Sequence, residues 1–136
     1  MDTSHIELPG SVVDRIDLAE GVLRIRFARA YIIKTMTGSV EATRWWQAGT
    51  LILEEAEAEG PIGQGPLTCD GGEIDENVYT YRDMIPIPFQ SRGRIGCQFV
   101  FRDSEGPLIA RGERVILEML DVPKYIEHIR PRSEGI

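Results

Sequence analysis

The sequence predicts an all-β protein: an antiparallel β-sandwich or partly closed barrel of about eight or nine short strands, with a short C-terminal helical segment. Three observations carry this. Leu23, Ile25 and Phe27 alternate with Arg24, Arg26 and Ala28. A period of two gives a strand one apolar and one polar face, whereas a helix would scatter the same residues around its circumference. Ile95, Cys97, Phe99 and Phe101 alternate in the same way with Arg94, Gly96, Gln98 and Val100. Clusters of turn-forming residues separate the apolar runs, and no strand pattern alternates with a helix pattern as a βαβ fold requires.

Taken in order, Ser11 to Leu18 reads as the first strand, with Val12, Ile16 and Leu18 on one parity. Ala19-Glu20-Gly21 links it to the second, because Gly21 tolerates the positive φ of a short hairpin turn. Tyr31-Ile32-Ile33 prolongs that second strand or begins another. Gly38 marks a turn. Arg44 to Glu59 reads as one long strand, bulged near Gly49, since Trp45, Trp46 and Leu51-Ile52-Leu53 favour extended backbone. The following Glu-rich run is too short for an isolated helix.

Gly60 to Pro66 reads as a loop, Asp70-Gly71-Gly72 as a turn and Val78 to Tyr81 as a strand. Ile85-Pro86-Ile87-Pro88-Phe89 belongs at a sheet edge or in an extended connection, because proline has no N–H to give to a ladder. Ser91-Arg92-Gly93 and Asp103 to Pro107 are the next turns. Leu108 to Ala110 and Val115 to Leu120 are strands, with Gly112 as a break. Pro123 to Ile129 is expected to be helical, with Pro123 in a first turn and Tyr125, Ile126 and Ile129 at helical spacing.

A chain of 136 residues forms one domain, here expected over 1–130, with 131–136 a frayed tail. It can bury roughly two-thirds of its unfolded surface and needs no metal or disulfide to fold. The net charge of −7 argues against a general nucleic-acid binder and against attachment to an anionic membrane. Eight acids and no Lys or Arg lie between Trp45 and Tyr81. They are expected to pair with arginines elsewhere in the fold or to face a basic partner. The first residues lack the charged and apolar regions of a secretory signal, so a cytoplasmic location is expected. Cys69 and Cys97 then read as reduced thiols.

Gly21-Val22-Leu23-Arg24-Ile25-Arg26-Phe27, Ile85-Pro86-Ile87-Pro88-Phe89 and Tyr125-Ile126-Glu127 together resemble small uncharacterised bacterial all-β proteins. The resemblance is structural and brings no activity or functional residue.

The residues supply little chemistry. There is no Gly-x-Ser-x-Gly elbow and no phosphate-binding loop. His5, Cys69, Cys97 and His128 lack the paired spacing of a zinc site, and Asp70 to Asn77 does not match a calcium loop. No catalytic residue, metal or cofactor is assigned. Cys97 shares the parity of Ile95 and Phe99 and is expected in the core, whereas Cys69, beside a glycine turn, is expected to be exposed. The binding candidates are aromatic. Trp45 and Trp46 are adjacent and so point to opposite faces of a strand. Tyr79 and Tyr81 share one parity beside Arg82, and exposed Trp, Tyr and Arg dominate binding hot spots.

These features point to a non-catalytic binding module with a protein partner or self-association. One form would be an immunity-like protein whose acidic face caps a basic toxin. The alternatives are a barrel holding a small ligand among Phe27, Phe99 and Phe101, and a small carboxylate- or thiol-dependent enzyme.

Overall fold

The structure, a computed structural model, describes residues 2–38 and 40–129. It contains nine strands and no helix among the described residues: β1 (Thr3–Ala19), β2 (Val22–Thr35), β3 (Ala42–Glu54), β4 (Glu57–Glu59), β5 (Gly63–Glu76), β6 (Tyr79–Arg82), β7 (Met84–Ile87), β8 (Gln90–Phe101) and β9 (Leu108–Ile129). All pairings are antiparallel and belong to one sheet. The sheet order β5-β8-β9-β3-β2-β1 closes on itself, because β5 also pairs with β1. Six strands thus form a ring, in line with the barrel alternative rather than two stacked sheets.

The two alternating stretches become β2 and β8. In each the apolar parity faces inward: Leu23, Ile25 and Phe27 are fully buried, as is Phe99, with Ile95, Cys97 and Phe101 nearly so. Leu51, Leu53, Ile74, Leu108 and Val115 complete the interior from the other strands. Each such side chain contributes about 1.5–3 kcal/mol by leaving water. The first hairpin forms as the sequence predicts. Glu20 and Gly21 have φ of 52° and 76°, and Ala19 pairs with Val22 across them. Two successive positive-φ residues match the right-handed twist of the flanking strands.

Several strands are longer than the interior of the ring requires. The register breaks at one level in four neighbours: between Glu7 and Val12 in β1, Phe27 and Ala30 in β2, and Trp46 and Ala48 in β3 against Lys124 and Leu120 in β9. Bulges bend strands and raise their local twist, so this row of irregularities forms a seam. On one side lies the ring. On the other, β7-β1-β2-β3-β9 continue as a five-stranded platform. Ser11, fully buried, holds the seam: its hydroxyl donates to the Glu7 carbonyl (2.6 Å) and accepts from the Tyr31 amide (3.0 Å). Gly10 beside it has φ of +90°, a conformation that a side chain would strain.

Four expectations are corrected. Pro123 to Ile129 is not helical but the end of β9. There β3 supplies a ladder from Trp46↔Lys124 to Ala42↔Ile129, which a seven-residue helix, with its unfavourable nucleus, would forfeit. Asp70-Gly71-Gly72 is not a turn. It lies within β5, where the chain bulges between Cys69 and Gly71 and Gly72 lets Phe99 approach. Ser91-Arg92-Gly93 is likewise an irregularity inside β8. The loop after Gly60 ends by Gly63, which already pairs with Ile16. The proline-bearing segment does form an edge strand, β7, at one end of the sheet order. The tail expected at 131–136 lies outside the described residues.

The acidic stretch finds basic partners on other parts of the chain: Glu54 with Arg114 (3.3 Å), Asp70 with Arg102 (3.0 Å) and Glu73 with Arg82 (3.3 Å). These partly exposed pairs are worth about 0–1 kcal/mol each and orient strands more than they stabilise them.

Candidate binding site

Trp45 and Trp46 sit on the platform part of β3, and both are half-buried. Trp46 lies between cations from the two flanking strands. The Arg29 guanidinium of β2 is 4.6 Å from its ring centroid and the Lys124 ammonium of β9 is 4.2 Å away. Tyr31 and Lys124 are its register partners. Two residues back along β3, and therefore on the same face, Arg44 donates to Glu7 (3.3 Å) and Glu127 (3.2 Å). Arg44 thus ties β1 to β9 across the two strands that lie between them, β2 and its own β3. Glu7, Pro9, Arg29, Tyr31, Arg44, Trp46 and the Tyr125-Ile126-Glu127 run line an open groove of about 530 Å³.

Trp45 points to the opposite face. Its indole Nε1 donates to Thr43 Oγ1 (2.8 Å), the Tyr125 ring meets it edge-on at 5.3 Å, and the Lys34 ammonium lies 4.4 Å from its centroid. Neither tryptophan is therefore a core residue. Each has a face capped by a cation, an arrangement worth about 0.5–1 kcal/mol at exposed sites.

The remaining sequence candidates do not join this groove. Tyr79, Tyr81 and Arg82 lie on β6, at the other end of the sheet order. Tyr79 is exposed and meets Tyr81 at 4.5 Å, and Tyr81 in turn packs edge-on against Phe89 at 5.7 Å. Burial and the adjacent Glu76 carboxylate, to which its hydroxyl donates, push the Tyr81 phenol above its ordinary pKa. Arg82 is engaged by Glu73. These three residues brace β6 against β5 and the core.

Arg29, Tyr31, Arg44 and Lys124 were not singled out from the sequence. Arg44 was within reach, since it shares the parity of Trp46. Arg29 and Lys124 were not, because their approach to one ring depends on which strands are neighbours. Among the described residues, neither of these two cations has a carboxylate partner.

The groups that could perform catalysis are placed unfavourably. Cys69 is fully buried, not exposed as its glycine neighbours suggested, because the bulge after it turns its side chain into the ring. Cys97 is buried as expected. Burial pushes both thiols up to about 12. His5 is held below its ordinary pKa by burial, partly offset by Glu7, and His128 is bonded to Glu41 at 3.0 Å. Among the described residues no group of three or more His, Cys, Asp or Glu side chains is placed to hold a metal ion. Among the described residues no helix is long and apolar enough to cross a membrane.

The thiols yield a direct prediction. Neither cysteine should react with a thiol reagent at pH 8 in the native protein, and both should react once urea unfolds it. Because folding raises their pKa, the stability they protect is intact below about pH 9 and falls as pH rises toward 12. Rapid labelling of one thiol under native conditions would place it at the surface instead.

No known protein family, curated protein or solved structure matches this chain.

Proposed function

We propose that the chain is a non-catalytic cytoplasmic binding module that engages a protein partner over the platform, with the Trp46 groove at the centre of the contact. One observation carries the reading. A half-buried tryptophan flanked by the exposed cations Arg29 and Lys124 borders an open groove on the platform. Trp and Arg are the residues that most often dominate binding energy. The burial of Phe27, Phe99 and Phe101 in the ring favours an outer surface over an interior ligand chamber.

Capture from the native cell, with wild type and Trp46→Ala as parallel baits, tests this. A protein held by wild type and reduced at least tenfold by Trp46→Ala is the expected outcome. Equal capture by both baits, or no capture by wild type, would overturn it. A thermal melt of each bait confirms that the variant is folded.

Self-association is a second form of the same reading, favoured by the end of β9. Beyond the Leu117–Phe89 hydrogen bond, β9 pairs only with β3, and Leu120, Val122, Tyr125 and Ile126 are exposed along it. An unpaired edge is a template for another strand. Light scattering would show a dimer whose population rises with concentration, and a monomer at all concentrations would remove this form.

A further inference from the structure

We infer that the Trp46 groove takes an extended acidic peptide segment of the partner, with carboxylates at alternate positions held by Arg29 and Lys124. The inference rests on the reading of this groove as the binding surface and names the chemistry of what it holds.

The first argument is charge. The chain carries 22 acidic and 15 basic side chains, and of the thirteen Lys and Arg among the described residues six are in ion pairs and seven are not. Arg15, Arg26, Arg44, Arg82, Arg102 and Arg114 are all in ion pairs. Arg29 and Lys124, among the described residues, instead lean on one indole. Both are exposed, which leaves their remaining donors open to an incoming anion.

The second is spacing. Each charged centre lies within 4.6 Å of the same ring centroid, so the two are no more than about 9 Å apart. In an extended chain, side chains two residues apart point the same way and are separated by about 6.6 Å. Two acids at alternate positions can therefore meet both cations while the intervening backbone crosses the indole.

The third separates a peptide from another polyanion. Glu7 and Glu127 border the groove, each with one oxygen committed to Arg44. Their spare lone pairs can accept N–H groups, which a peptide backbone offers and a phosphodiester does not.

The test uses the full chain and capped eight-residue peptides of alternating Glu and Thr, alternating Gln and Thr, or alternating Lys and Thr, with an eight-base oligothymidylate as the rival polyanion. Indole N–H signals in two-dimensional NMR report on each tryptophan. The Glu peptide should saturate the Trp46 signal at low salt and bind at least tenfold more tightly than the Gln or Lys peptide. Arg29→Gln and Lys124→Gln should each weaken it about threefold, and the double variant at least tenfold. Both residues are exposed, and signal dispersion checks the fold. Equal affinity for Glu and Gln peptides, an unchanged double variant, no saturable binding, or tighter binding of the oligothymidylate would each overturn the inference. If a captured partner depends on Trp46 while the acidic peptide fails any of these comparisons, the binding surface stands and only its ligand chemistry falls. If capture is indifferent to Trp46, the surface itself falls.

Discussion

Replacing Phe99 with Ala is expected to lower the free energy of unfolding by about 3–5 kcal/mol. Phe99 is fully buried near the C-terminal end of β8, opposite Gly72 of β5 on one side and Leu108 of β9 on the other. It therefore joins three consecutive strands of the ring. Its fit against β5 is close: a Cβ on Gly72 would lie 2.6 Å from Phe99 Cδ1 and 2.7 Å from the Gln98 carbonyl oxygen. Gly72 leaves room for the ring by having no side chain. Truncation would remove the transfer energy of the phenyl group and leave a cavity that six interlocked strands can close only in part. A domain of this size has a total stability of about 5–15 kcal/mol, so the loss would be about a fifth or more of it. Urea denaturation followed by circular dichroism measures the change directly. A loss below about 1 kcal/mol would mean that the interior is loosely filled, and would revive the idea of a ligand chamber within the ring.

Ser11→Ala comes next, with an expected loss of about 1–3 kcal/mol. The residue is fully buried, and its hydroxyl is both donor to the Glu7 carbonyl and acceptor from the Tyr31 amide. It takes the place of a ladder where β1 and β2 lose register. Alanine fits the same space yet leaves a buried amide and a carbonyl without this partner, which is why so small a change carries so large a cost. The effect should be local as well as global. Hydrogen exchange at Tyr31 should accelerate well beyond that of Ile25, which lies within the ring. Because Tyr31 is the register partner of Trp46, the Trp46 indole signal should shift too. A variant within about 0.5 kcal/mol of wild type, with Tyr31 exchange unchanged, would show that the bulges hold the seam without the hydroxyl.

The surroundings of the two tryptophans were partly legible. Trp45 and Trp46 were identified from adjacency alone, because successive side chains on any strand must diverge. Tyr79, Tyr81 and Arg82 had the same residue types on the same parity, but their surroundings differ. Tyr81 leans on Phe89 and Arg82 on Glu73, at a distance from Trp46 along the sheet that residue type and parity do not reveal. Cys69 was misjudged for a related reason: a glycine pair after it suggests a turn, yet within a paired strand the same glycines make a bulge and a close approach.

What the sequence determined by itself was local: the inward and outward parity of β2 and β8, the turn at Glu20-Gly21 and the edge position of β7. Each follows from backbone geometry over a few residues. Tertiary structure alone decided that β5 returns to β1 and closes the ring, that 123–129 is extended, and that Arg29 and Lys124 both reach the Trp46 ring. A strand satisfies its backbone through neighbours distant in the chain, so its partner, and every side-chain cluster that depends on that partner, is set by the whole sheet.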